Sequence, residues 1–221
     1  MKTTTILTKL YELEEKDYTG KKDQTLDFFK YKELIEQLKE SIKMESLPEG
    51  STKKQYTAIK KMLKTVGKRR KLLGLTHIDE KGRQVFTDSY ILFRFYNDAI
   101  IEALPKTTDP ENEGHTYPQT EKLCDPTLNS SLKSPPVKIS SLKDKIRTAD
   151  LYVIVDLVPD GSYKAAFGKK VLDQFINIMN FKNTDTIEFL YPSMRTGFSV
   201  RPLGVKYNNR EGIILPYRME A

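Results

Sequence analysis

The residue types that most often carry catalysis are scarce and scattered in this chain. His77 and His115 are the only histidines, and neither has a second ligand at metal-binding spacing. Cys124 is the single cysteine, and no nearby base marks it as a nucleophile. The acids Asp79 and Glu80 are typical of a turn rather than of a general acid/base pair, and the chain has no glycine-rich phosphate loop. The sequence therefore predicts a protein that is not an enzyme and that uses no cofactor and no metal.

Phosphate binding is the chemistry that the charged residues do suggest. Residues 51–100 carry 12 basic and 4 acidic side chains, a net charge of +8, whereas all 221 residues together have a net charge of +7. No acidic residue occurs between Gly50 and Ile78. Such a local excess favours an anionic partner, nucleic acid first of all, although a solvated helix face would have the same composition. The residues concerned are Lys60, Lys61, Lys64, Lys68, Arg69, Arg70 and Lys71.

Three features that the sequence lacks indicate the cellular compartment of the protein. One cysteine allows no intramolecular disulfide, which is typical of a reducing environment. The first residues have no long apolar core of the kind found in signal peptides, and no apolar run approaches membrane-spanning length. We therefore expect a cytoplasmic protein without a membrane partner.

Two helices precede the first predicted strands. Thr25 to Lys43 has apolar residues on one face, which predicts an amphipathic helix packed on a core. Lys53 to Lys71 predicts a second helix, with its lysines on a different side from its apolar stripe. Gly67 is expected to end this helix, with basic residues at its exit. The apolar face of the first helix comprises Phe28, Tyr31, Leu34, Ile35, Leu38 and Ile42.

The strand pattern predicts an α+β fold. Short strands are predicted within residues 72–79, 83–89 and 90–97, with a turn at 79–82. The proline-rich stretch from Pro105 to Ser141 predicts a long loop or linker. Strands at 150–158 and 163–167, a helix at 168–181 and strands at 185–192, 197–204 and 212–218 complete the chain. The order strand, helix, three strands thus occurs twice in outline, although the first copy has no clear opening strand.

Three stretches, in the same order, resemble one known family. KGRQVFTDSYILFRF, residues 81–95, contains a Thr-Asp dipeptide followed by a small residue, an aromatic residue and a leucine. EGHTYPQTEKLCDP, residues 113–126, contains acidic residues and a glycine ahead of an aromatic–proline pair. From Phe167 onward a helix and a strand pair precede the exit Leu-Pro-Tyr-Arg. These stretches resemble the strand pair, the domain junction and the last half-domain of bacterial DNA sliding clamps, the beta subunit of DNA polymerase III.

The resemblance implies a domain organisation. We expect clamp-like repeats of strand, helix and three strands, together with a helix-rich N-terminal segment. The expected parts are a helical segment 1–50, a clamp-like domain 51–126, a linker 127–149 and a C-terminal clamp-like half-domain 150–221. Because bacterial clamps have three domains per chain, this chain would be a diverged and shortened relative.

The resemblance also implies a peptide-binding pocket. In clamps, the Pro-x-Arg exit of the final strand and the Thr-Asp segment line a hydrophobic pocket for short peptides with Gln, Leu and Phe. Without the resemblance, Leu215 and Tyr217 would be interpreted as edge-strand packing. Ser89 occupies a position where clamps typically have glycine. Leu215 and Tyr217 replace two methionines, and because methionine side chains are flexible, the pocket is expected to accept a smaller range of peptides. The corresponding residues are Thr87, Ser89, Tyr90, Leu92, Leu215, Pro216, Tyr217 and Arg218.

These features predict a non-enzymatic, sliding-clamp-like protein of a phage or mobile element. It would bind double-stranded DNA without reading its sequence. It would tether a polymerase or other replication proteins through short peptide motifs during DNA replication or repair, as a dimer or trimer. The alternative is a clamp-fold interaction protein that forms no ring and binds clamp-binding peptides. A DNA-binding regulator that uses the N-terminal helices is a third hypothesis, which the near-neutral charge of residues 1–50 disfavours.

Overall fold

The computed structural model describes residues 5–10, 12, 24–47, 51–96, 117–193 and 196–219. The chain divides into two compact units, residues 1–53 and 54–221. Helices and sheets are mixed along the chain, which confirms the predicted α+β class. Among the described residues, no helix is both long enough and apolar enough to cross a bilayer.

The first unit contains helix α1, Gln24–Ser46. It covers the predicted helix from Thr25 to Lys43 and extends it at both ends. Its apolar face is only partly covered, because Tyr31 and Ile42 are exposed and Leu38 is half-buried. No strand stands between α1 and the next helix in the described residues, so the first repeat lacks the opening strand of the predicted pattern.

The second unit begins within helix α2, Ser51–Gly67. Gly67 ends α2, as predicted. The chain then turns back, and Lys71–Gly74 form a 3-10 helix instead of the predicted strand. The turn brings two glycine backbones together, since a Cβ on Gly74 would lie 2.8 Å from the Cα of Gly67. The stripe that α2 buries is the predicted one and consists of Tyr56, Ile59, Met62, Leu63 and Val66.

A five-stranded antiparallel sheet forms the centre of the second unit. The strands are β1 (His77–Ile78), β2 (Gln84–Thr87), β3 (Ile91–Phe95), β9 (Leu203–Tyr207) and β10 (Arg210–Ile214). Their order across the sheet is β1-β2-β3-β10-β9. The last strands of the two predicted repeats, β3 and β10, therefore pair directly.

Aromatic side chains fill one face of this sheet, called here the inner face. Phe86, Phe93 and Phe95 pack ring against ring at centroid distances of 5.1 to 6.2 Å. Helix α5, Lys169–Met179, lies on this face and places Phe175 against Phe93 at 5.4 Å. Gly212 makes room for it, because a Cβ there would lie 2.6 Å from the Phe175 ring.

The opposite, outer face is covered by a helix that the sequence interpretation missed. Helix α3, Thr120–Leu128, buries Cys124 and Leu128 beside Val85, Leu92 and Ile213 of the sheet. Strand β4 (Val137–Lys138) and helix α4 (Ile139–Thr148) follow. Within the stretch expected to be a loop or linker, the described residues 117–149 therefore contain two helices and a short strand. The tertiary contacts of this stretch outweigh its proline-rich composition. Residues 101–116 lie outside the described residues.

A second, three-stranded sheet has the order β5-β6-β8. Its strands are β5 (Tyr152–Asp156), β6 (Tyr163–Gly168) and β8 (Gly197–Phe198), and β7 (Thr186–Ile187) pairs with β4. The strands predicted at 185–192 and 197–204 are much shorter than expected. Beyond β10 the chain leaves the five-stranded sheet, and the amide of Tyr217 donates a 2.6 Å hydrogen bond to the Ala166 carbonyl of β6. The C-terminal exit thus joins the two sheets.

Candidate nucleic-acid interface and peptide pocket

Exposed basic residues lie on α2 and at its exit. Lys61 and Lys64 are exposed on the helix at the three-residue spacing that places side chains on one side. Lys68 and Arg69 are exposed in the turn that directly follows the helix. We call these four residues the basic face. Among the described residues, none of the four forms an ion pair with an acid. Their charges are thus available to an anionic partner.

The other predicted DNA-binding residues lie at the margins of the basic face. Lys60 is half-buried, with its Nζ 5.9 Å from the centroid of the Tyr56 ring. Lys71 is exposed in the 3-10 helix. Arg70 points to the β2–β3 turn, where its Nη1 lies 3.4 Å from the Oγ of Ser89. Arg70 therefore links the predicted DNA-binding residues to the predicted peptide pocket.

The β2–β3 turn holds the Thr-Asp segment in a fixed conformation. The Asp88 carboxylate accepts 2.9 Å hydrogen bonds from the amides of Tyr90 and Ile91. Thr87 donates a 2.7 Å hydrogen bond to the Ile91 carbonyl and accepts one from the Ser89 amide. Ser89 has a φ of 82°, in the region that glycine adopts without strain. This turn leaves the Tyr90 side chain 62% exposed.

The C-terminal exit lies beside this turn. The Leu215 amide donates a 2.9 Å hydrogen bond to the Tyr90 carbonyl. Leu215 and Tyr217 are 38% and 50% exposed, and the Tyr217 ring lies 4.4 Å from that of Tyr152. A hydrogen bond with Tyr217 raises the pKa of Tyr152. We call Tyr90, Leu215 and Tyr217 the apolar row.

The structure separates the predicted pocket residues by exposure. Thr87 and Leu92 are buried in the sheet, so they support the surface from below. Pro216 is half-buried and Arg218 is exposed next to the apolar row. Both predicted walls of the pocket are therefore adjacent, and the apolar row is the part that a ligand can contact.

A cleft of about 670 Å³ opens where α2, α5 and the β2–β3 turn meet. Lys61, Arg69 and Arg70 contribute to one side of it, and Ser89 and Tyr90 contribute to another. Its size is typical of ligand-binding clefts. The cleft combines residues that the sequence analysis had assigned to two separate sites.

Cys124 and His77, two of the residues considered for catalysis or metal binding, pack against other side chains of the fold. Cys124 is fully buried, and this burial raises the pKa of its thiol to about 12. The ring of His77 stacks on that of Tyr117 at 5.0 Å, while His115 lies outside the described residues. In the part of the chain that the structure describes, no group of three or more His, Cys, Asp or Glu side chains could hold a metal ion.

Sequence interpretation missed two buried arginines that fix the outer face of the sheet. Arg94 forms ion pairs with Asp125 at 2.6 Å and with Glu211 at 2.7 Å. Arg83 pairs with Asp79 at 2.6 Å and with Glu121, also at 2.6 Å. The pairs with Asp125 and Glu121 hold α3 against the sheet. The signal in the sequence was a charged residue inside the apolar strand ILFRF, which requires a partner when it is buried.

No protein-family profile matches the sequence, and no curated protein matches it significantly. Two solved structures are similar. The DNA polymerase sliding clamp from Bacillus subtilis has a TM-score of 0.45 and 13% identity, over 75% of this chain and 63% of the clamp chain. The DNA polymerase III beta subunit from Borrelia burgdorferi, in complex with a natural product, has a TM-score of 0.44 and 11% identity, over 76% and 63%.

Both structures belong to the family that the sequence motifs resemble. The matched region spans less than two thirds of each clamp chain. At these identities and TM-scores, function has to be inferred from the residues of this chain.

Proposed function

We propose that this chain is a non-enzymatic, DNA-associated protein of the sliding-clamp type, with a tethering role in DNA replication or repair. The observation that carries the proposal is the basic face of α2, with four exposed cations and no ion pair to a described acid. The clamp-like sequence motifs favour a clamp role over other kinds of DNA binding.

The geometry of the basic face suits sequence-independent contact with phosphates. Lys61 and Lys64 lie about 4.5 Å apart along the axis of α2, which rises about 1.5 Å per residue, and Lys68 and Arg69 follow in the turn directly after the helix. A row of this length can neutralise a few phosphates of a duplex without reaching the base edges. Binding through so few contacts is weak and salt-sensitive. A clamp tolerates weak contacts because its ring topology keeps it on the DNA.

A charge-reversal experiment tests the DNA contact. Fluorescence anisotropy would measure binding of the full chain to a labelled duplex of random sequence at several salt concentrations. We expect the K61E/K64E/K68E variant to lose most of its affinity. We also expect it to lose about 2 to 3 units of the salt-dependence slope, since each phosphate contact contributes about 0.9.

The matched control reverses the same number of charges elsewhere. Lys122, Lys138 and Lys182 are exposed and lie outside α2. The K122E/K138E/K182E variant should keep most of the wild-type affinity. Equal losses in both variants would mean that net charge, rather than the basic face, determines binding, and intact binding by K61E/K64E/K68E would contradict the proposal.

The second part of the proposal concerns partner proteins. We infer that the apolar row, with Arg218 beside it, binds short peptides of a polymerase or another replication protein. Support comes from the hydrogen bond that places Leu215 next to Tyr90. Exposed aromatic side chains next to an arginine are typical of binding hot spots. A monomeric protein that binds peptides at this site and does not bind DNA would support the alternative hypothesis. In that case the chain is a clamp-fold interaction protein that forms no ring.

Ring formation requires a surface for a second copy, and β5 offers one. It is an edge strand of the three-stranded sheet, and Leu151 and Ile154 on it or beside it are exposed. Exposed apolar edge strands pair readily with another strand. We propose that a dimer or trimer forms through this edge.

A further inference from the structure

We infer that the cleft beside the apolar row selects acidic peptides, so that a partner segment with carboxylates next to leucine or aromatic anchors binds best. This inference rests on the proposed peptide-binding function and specifies the chemistry of the peptide. It starts from the finding that Tyr90 belongs to both surfaces. Tyr90 is one of the residues that line the cleft, and its carbonyl accepts the hydrogen bond from Leu215.

The charges that line the cleft are predominantly basic. Lys61, Arg69, Arg70 and Lys170 lie around it, against two acids, Asp88 and Asp173.

Both acids already have partners within the protein. One carboxylate oxygen of Asp88 accepts hydrogen bonds from two backbone amides of the turn. Asp173 accepts a 3.2 Å hydrogen bond from Asn177. The four basic side chains at the cleft therefore outnumber its two acids, both of which already accept hydrogen bonds. Guanidinium N–H groups of the arginines can then donate hydrogen bonds to carboxylates of a ligand. Arginine suits this role because its planar group can donate two parallel hydrogen bonds to one carboxylate.

The apolar row supplies the second half of the recognition. The hydrogen bond from the Leu215 amide to the Tyr90 carbonyl makes the two residues cross-strand neighbours at the end of the sheet, so their exposed side chains lie close together. Tyr217 continues the row toward Tyr152. A peptide that lies along this row can bury two or three apolar side chains while its preceding residues reach Arg69 and Arg70.

These observations favour a peptide over a nucleic acid at this particular place. A phosphate backbone would use the arginines but leave the apolar row uncovered. The cleft volume of about 670 Å³ suits a few side chains. Lys64 and Lys68 of the basic face do not line the cleft, so they remain available to contact DNA.

The test compares two labelled peptides that differ only in charge. Fluorescence anisotropy would measure binding of the full chain to fluorescein-labelled Glu-Glu-Leu-Ser-Leu-Phe and to its neutral counterpart Gln-Gln-Leu-Ser-Leu-Phe. We expect the acidic peptide to bind about tenfold more tightly at low ionic strength, where exposed charges are least screened. In the R69Q/R70Q variant this ratio should fall to about one, whereas Tyr217→Ala should weaken both peptides equally.

Two further variants keep the result interpretable. R69Q/K170Q removes the same charge but retains the contact between Arg70 and Ser89, so it separates the charge effect from any change in the turn. K122Q/K138Q removes two exposed charges outside the cleft and should leave the ratio unchanged. Circular dichroism would verify that each variant is folded.

Each outcome supports or overturns the inference. Equal binding of the two peptides to the wild-type protein would overturn the acidic preference and leave the proposed peptide-binding function intact. Binding of neither peptide would overturn both. An acidic preference that persists in R69Q/R70Q, with DNA binding lost instead, would assign the arginines to DNA and contradict the inference.

Discussion

The amide of Leu215 donates a 2.9 Å hydrogen bond to the carbonyl of Tyr90. This bond continues the pairing of β3 with β10 one residue beyond Ile91 and Ile214. Residues from two distant parts of the chain therefore form one surface at the end of the sheet. The same turn contacts Arg70 at the exit of α2, so the candidate peptide pocket and the candidate DNA interface are neighbours.

The conformation of Ser89 leads to a prediction about stability. Its φ of 82° is unfavourable for a residue with a Cβ. We expect Ser89→Gly to stabilise the protein by about 1 kcal/mol, less the entropy that glycine gains in the unfolded chain. Thermal unfolding followed by circular dichroism would detect this as a rise of a few degrees in Tm. The control Ser141→Gly, at an exposed helical position, should lower Tm, and a lower Tm for Ser89→Gly would contradict the interpretation of the turn.

The buried Arg94 leads to a second prediction. Its side chain is 2% exposed and pairs with Glu211, which is 12% exposed. Replacing Arg94 with leucine removes its ion pairs with both Glu211 and Asp125 and leaves Glu211 only the Tyr96 hydroxyl and the exposed Lys206. We therefore expect a loss of about 3 kcal/mol in the free energy of unfolding. Urea denaturation would measure it. R94L/E211L should recover part of the loss, and Arg147→Leu, which breaks an exposed pair, should change the free energy by less than about 1 kcal/mol.

The ion pair of Asp125 with Arg94 leads to a prediction about how the free energy of unfolding depends on pH. Its hydrogen bond with Arg94 lowers the pKa of the Asp125 carboxyl in the folded protein. The stabilisation is therefore complete above the ordinary aspartate pKa of about 3.9 and is lost as the pH falls toward the folded value. Unfolding experiments should show that the stability difference between wild type and Asp125→Asn shrinks as the pH is lowered through this range. A difference that does not change with pH would show that the ion pair contributes nothing to stability.

Cys124 should be chemically inert in the folded protein. Its thiol is fully buried and has a pKa raised to about 12, so almost no thiolate forms at neutral pH. We expect an aromatic disulfide reagent to react with it only as fast as the protein unfolds, and rapidly in concentrated urea. Fast labelling of the native protein would contradict the position of α3 over Cys124.

The sequence predicted those elements whose patterns are local. The apolar stripe of α2, the short runs of β2 and β3 after the turn at 79–82, and the helical spacing of α5 each specify an element without reference to the rest of the chain. The paired position of the Thr-Asp segment and the C-terminal exit followed from the clamp resemblance, and the structure places these segments side by side.

Other elements depend on contacts that no local pattern reveals. Helix α3 contains Pro126, and the proline-rich composition around it predicted a loop. The helix is held by ion pairs from Glu121 and Asp125 to arginines of the sheet and by the burial of Cys124. Likewise, the cleft joins α2, α5 and the β2–β3 turn, which are far apart in the sequence. Their meeting is a property of the tertiary fold.

The most direct test of the clamp proposal is the molar mass of the protein in solution, measured by light scattering on a sizing column at low and moderate salt. A ring requires a stable assembly, so we predict a dimer or trimer at both salt concentrations. Replacing Ile154 of the β5 edge with lysine should reduce the assembly to the 25.5 kDa monomer. A wild-type monomer at both salt concentrations would contradict the ring and leave peptide binding as the function to pursue.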